Sequence, residues 1–97
     1  MPPSHVRRLE WTERAIADLI AAIDYIHHDS PRSATLVKNR ILRAIELIGE
    51  QPMMGTPGRV PRTREYPVAH TSLTVVYRVR PTVVHVARVM HQRRRYP

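Results

Sequence analysis

At 97 residues, 42% apolar and 25% charged, the chain is long enough for one domain, 1–97, with one modest core, and too apolar to be disordered by composition. The absence of cysteine excludes a disulfide framework, a thiol nucleophile and a Cys-ligated zinc site. No apolar run approaches the ~18 residues of a membrane span, and nothing behind Met1 resembles an export signal, so a cytoplasmic protein with no membrane partner is expected. The net charge of +8 is uneven, because residues 1–50 hold seven basic and seven acidic side chains while residues 51–97 hold nine arginines against Glu65 alone.

Taken in chain order, His5–Trp11 reads as a short strand in loose alternation. Thr12 is placed as a helix N-cap, with Trp11 and Ile16 spaced for a hydrophobic staple. Ile16, Leu19, Ile20, Ile23 and Ile26 then recur at helical spacing. The helix ends at Asp29-Ser30-Pro31, because the residue before proline is pushed out of the α region. Ser30 caps a second helix with Pro31 at its first position, where a missing N–H is harmless. Its apolar face is Ala34, Val37, Ile41, Ala44, Ile45 and Ile48, and Gly49 with Pro52 supplies the stop.

Residues 49–61 contain all three glycines and three of the nine prolines, the composition of an irregular loop, with Met53 and Met54 folding back onto the core. From Arg62 the period becomes two. Thr63–Val68 is a strand that Pro67 confines to an edge. Leu73, Val75, Tyr77 and Val79 alternate with Thr74, Val76, Arg78 and Arg80; Arg80-Pro81-Thr82 is a turn, Val83–Met90 is the last strand, and the tail from His91 is basic. The order is β-α-α-β-β-β, an α+β fold with a helical hairpin on a small, mostly antiparallel sheet.

Strand parity puts Arg78 and Arg80 on the face that the helices leave open, with Arg59, Arg62 and Arg64 from the adjoining loop and strand beside them. With His91 and the tail residues Arg93, Arg94 and Arg95, these form the expected target-binding surface. Guanidinium suits bidentate contact with phosphate or carboxylate, so its partner is anionic. Were the surface catalytic, RNA cleavage through the 2′-hydroxyl would need a base, an acid and cations for the phosphorane. His91, Glu65, Tyr77 and Tyr96 are the proton-transfer candidates, with arginines as the cations. The histidines show no metal-ligand spacing, and no cofactor is expected. Trp11 and Tyr25 are expected to pack.

The segments Trp11-Thr12-Glu13-Arg14-Ala15 and Asp24-Tyr25-Ile26, the loop Pro52 to Pro61 followed by Thr63-Arg64-Glu65, the strand Val75-Val76-Tyr77-Arg78-Val79 and the ending Val89 to Arg94 occur in one order along nearly the whole chain. Together they resemble the RelE/ParE toxins of bacterial type II toxin–antitoxin modules, which stabilise plasmids. The resemblance implies the β-α-α-β-β-β fold, a growth-inhibiting toxin, and a hetero-oligomer with an acidic antitoxin that folds over it. RelE-like members cut messenger RNA on the ribosome, and the counterparts of their catalytic set here would be Glu65, Arg64, Arg78, His91 and Tyr96. ParE-like members inhibit DNA gyrase. The only lysine, Lys38, lies in the second helix, and Tyr96 stands five residues past His91 rather than beside it. The ending from His91 to Pro97 looks more like the ParE branch, so the expected target is gyrase, with the ribosome and mRNA as the alternative.

Overall fold

The computed structural model describes residues 6–92; Arg93, Arg94, Arg95 and Tyr96 of the expected site lie outside them. One side chain, Thr12, joins the first strand to the first helix. Its backbone N–H donates to Val86 O (3.0 Å), and its hydroxyl donates to Ala87 O (2.9 Å) while accepting from Ala15 N (3.0 Å). The residue therefore ends β1 (Arg8–Trp11) and caps α1 (Glu13–Asp29) in a single step. Ser30 does the same between the helices, accepting from Ser33 N (3.1 Å) with Pro31 at the start of α2 (Pro31–Glu50). Gly49 lies inside α2 rather than ending it. A side chain there would press on the Arg7 carbonyl (3.3 Å) and on Leu9 (3.4 Å), so close packing against the first strand accounts for the glycine.

The loop expected at 49–61 is more structured than its composition indicated. Pro52–Met54 is a turn of 3-10 helix, and Thr56–Pro57 forms a two-residue strand, β2, that the sequence reading missed. It pairs antiparallel with β3 (Arg64–Pro67) at Arg64 and Glu65, so β2 is the outermost strand there, while Pro67 lies beyond its reach, still on an edge. β4 (Leu73–Val79) and β5 (Val83–His91) complete a five-stranded sheet in the order β1-β5-β4-β3-β2, in which only β1 and β5 are parallel. An extra residue at Ala87 shifts the β4–β5 register between Val76 and Tyr77.

Both helices pack on one face of the sheet. Ile41, Ala44, Ile45 and Ile48 of α2 meet Leu73, Val75, Tyr77, Val84, Val86 and Val89, all buried. α1 is different. Only Ala15 is fully buried there, while Ile16 is 45%, Ile20 56% and Tyr25 79% exposed. The helical stripe was thus legible, but half of it turns outward, and Tyr25 does not pack. Met54 rests on the core as expected, whereas Met53 is 68% exposed.

α1 instead covers an edge. β1 is too short to line the whole of β5, and beyond it the Asp18 carboxylate accepts from Val89 N (3.0 Å) and from Arg88 Nε (2.7 Å) and Nη2 (3.2 Å). The carboxylate takes the place of a strand partner on an otherwise open edge. Arg88, one of the nine arginines of the second half, is thereby taken into the structure.

Candidate functional site

Arg64 and Glu65 are neighbours on a strand, so their side chains leave on opposite faces. Arg64 lies opposite Tyr77, on the helix side, and its guanidinium donates to Gly55 O (3.0 Å) and Met53 O (3.3 Å). The Tyr77 hydroxyl donates to Pro52 O (2.6 Å) and accepts from Gly55 N (3.0 Å). Burial pushes its pKa up, against the opposing pull of the Gly55 N–H and the Arg64 charge. Three carbonyls and one N–H of the 52–55 turn are satisfied by these two side chains. Gly55 is required there because a side chain would lie 2.6 Å from Tyr77 Oη.

Glu65 holds the next stretch. Its Oε2 accepts from the Arg59 N–H (2.9 Å) and Nε (3.3 Å), and its Oε1 from Arg59 Nη2 (3.3 Å). Burial alone would raise this carboxyl, but the Arg59 backbone N–H, guanidinium bonds and charge outweigh burial and hold it below the ordinary value. A carboxylate so held is a weak proton acceptor.

His91, in turn, ends β5 opposite Leu73, whereas Arg64 lies opposite Tyr77. Four residues along β4 and two strand spacings across separate them, about 15 Å between backbones. Arg78 stands on the other face, across from His85. Among the described residues, the structure therefore does not bring Arg64, Glu65, Arg78 and His91 of the expected nuclease set together. Arg64 and His91 share a face but not a place, and Arg64 and Glu65 are occupied in holding a loop.

Of the expected charged face, Arg78 lies on the side away from the helices, while Arg64 and His91 lie on the helix side. Thr74 and Val76, on the side away from the helices, are buried, so along β4 the charge of that side begins at Arg78, near the β4–β5 turn. There Arg78 and Arg80 are joined by residues that the sequence reading placed in the neutral half. Arg8 Nη2 contacts Glu10 Oε2 (3.2 Å), and Glu10 Oε1 lies 3.7 Å from His85 Nδ1. The alternation of Arg8 and Glu10 with Leu9 and Trp11 was the signal for this placement. Among the described residues, the guanidinium groups of Arg62, Arg78 and Arg80 have no hydrogen-bond or ion-pair partner.

This fold is similar to that of known toxins. A solved structure, described as the chromosomal ParDE TA system from P. aeruginosa, superposes with a TM-score of 0.79 at 25% identity, covering 91% of this chain and 98% of that one. A protein of Sinorhizobium fredii designated Y4kP is 35% identical over 91 residues, 94% of each chain. Toxin RelE2 of Caulobacter vibrioides is 33% identical over 84 residues, 87% of this chain and 93% of its own. The family described as ParE toxin of type II toxin–antitoxin system, parDE, matches residues 9–96. With nearly its whole length matched, the chain belongs to the ParE toxin family.

Proposed function

We propose that this protein arrests growth by binding DNA gyrase, without cutting RNA, and that an acidic antitoxin neutralises it by covering the helical hairpin. One observation carries the choice of mechanism: the residues that an RNA-cleaving member would need are dispersed or engaged elsewhere. Arg64 and Glu65 hold the 52–60 loop, Arg78 is on the opposite face from Arg64, and His91 stands about 15 Å from Arg64. Proton transfer requires base and acid within hydrogen-bond reach of one reacting group, and Arg64, Glu65, Arg78 and His91, the members among the described residues, do not converge on such a point.

A type II module pairs its toxin with an antitoxin, and the surface offers such a partner a place. Ile16, Ile20 and Tyr25 on α1, with Leu36 and Leu42 on α2, are exposed apolar side chains on a helical hairpin. An amphipathic segment that folds on binding would bury them, and its carboxylates would meet a protein of charge +8.

The test is a supercoiling assay with purified gyrase, run beside primer-extension mapping of translated messages after induction. Supercoiling inhibited by the toxin, restored by its antitoxin, and messages left whole is the expected result. Full supercoiling at stoichiometric excess together with defined cuts in messages would replace this reading with the ribosome-dependent one.

A further inference from the structure

The hairpin between β2 and β3 ends in a turn with an unusual occupant. Gly58 N donates to Thr63 O (2.8 Å), and Thr63 N donates to Val60 O (3.2 Å), closing a four-residue turn with Pro61 second and Arg62 third. Arg62 has φ 67°. Proline followed by a residue of positive φ is the pattern that turns of this class give to glycine or asparagine. An arginine there forces its Cβ into the left-handed region at a measurable cost in stability.

The rest of the hairpin is built to keep this tip in place. Thr63 Oγ1 donates to Val60 O (2.6 Å), and Glu65 grips Arg59 by three bonds. A side chain on Gly58 would collide with Thr63 Oγ1. Tyr77 and Arg64 anchor the residues leading into the hairpin. Yet Arg62 itself is exposed, and among the described residues its guanidinium has no partner. The bonds that hold the turn fix the Arg62 backbone, while its side chain is left to solvent.

The surroundings of the tip indicate what it meets. Arg59 is paired with Glu65, so Arg62 is the available guanidinium of a hairpin that also exposes Pro57 and Pro61. A phosphate backbone is held by several cations in a row. The hairpin itself presents one such cation, on a fixed backbone beside exposed prolines, the form of an anchor for a carboxylate on a folded protein. The tip also belongs to the sheet edge farthest from β1, while α1, which carries the exposed Ile16, Ile20 and Tyr25, packs toward β5, at the other side.

We infer that Arg62 is a preorganised contact for an acidic patch on the target protein, separate from the surface that takes the antitoxin. This rests on the toxin reading above. It separates toxicity from neutralisation: Arg62→Gly relieves the turn, so the variant melts at a higher temperature and binds antitoxin as the wild type does, but inhibits supercoiling at least tenfold less. Arg62→Asn, also at ease with positive φ, serves as the second variant and gives the same split.

An Arg62→Gly protein as inhibitory as the wild type overturns the inference and leaves the gyrase reading standing. Parallel loss of antitoxin binding overturns it too. So does loss of binding to a fluorescent single-stranded oligonucleotide in step with activity, which would assign the contact to phosphate. If the wild type arrests growth with gyrase untouched, the gyrase reading falls alone. Growth arrest then decides the matter: Arg62→Gly cells that still stop growing overturn the inference, and cells that grow uphold it for another acidic protein.

Discussion

Tyr77 is the residue on which most of the loop geometry depends. It is fully buried, and its hydroxyl is saturated by Pro52 O and Gly55 N. Tyr77→Phe keeps the ring but strands a buried carbonyl and N–H, at a loss of about 1–3 kcal/mol in urea unfolding. Glu65 makes a pH-dependent contribution of definite sign. Its carboxyl is held below the ordinary 4.5 in the folded protein, so its stabilisation is present above the unfolded pKa and is lost as pH falls through the folded one. Wild type should therefore exceed Glu65→Gln in stability at neutral pH, with the gap narrowing below about pH 5 and closing at lower pH; a gap that widens on acidification would refute the assignment. These roles were not legible in the sequence. Glu65 and Tyr77 read as proton-transfer candidates and Arg64 as a cation because their types fit the chemistry, while their partners, Gly55 and Arg59, are set by a two-residue strand too short to leave a pattern.

Among the elements, legibility followed burial. α2 was read correctly face by face because Ala34, Ile41, Ala44, Ile45 and Ile48 all point into the core. The stripe of α1 was read as equally buried and is not, since periodicity reports an apolar face without saying what covers it. Likewise, β1 could be found but not its parallel pairing with β5, which depends on contacts more than seventy residues apart. What holds α1 in place is polar, the Asp18 carboxylate on Arg88 and on the Val89 N–H. With both side chains about 15% exposed, Asp18→Ala takes the carboxylate away from a mostly buried guanidinium and from an edge N–H. The expected destabilisation is about 2–3 kcal/mol, somewhat below that of a fully buried pair. Hydrogen exchange locates the damage: the Val89 amide should lose its protection while the Tyr77 amide keeps its own. Equal loss at both would mean that Asp18 acts on global stability and not on the edge of β5.

At the scale of the molecule, the charge of +8 and the uncovered α1 face together ask for a partner that is both acidic and apolar. Ile16 and Ile20 lie one helical turn apart, about half exposed, so each has roughly 1 kcal/mol still to gain on being covered. Replacing both with glutamate removes that gain and sets two carboxylates against an acidic segment. Because neither side chain is in the core, the double variant should fold with little change in melting temperature. Its affinity for antitoxin should fall by about 2–3 kcal/mol, roughly 30- to 150-fold. Raising salt slows association of the wild type, since screening shortens the reach of the basic surface, but leaves the apolar part of the loss intact. The variant should consequently remain weaker than the wild type at every ionic strength. If high salt instead makes the two bind alike, the antitoxin is held by charge alone, and the exposed isoleucines of α1 are not its seat.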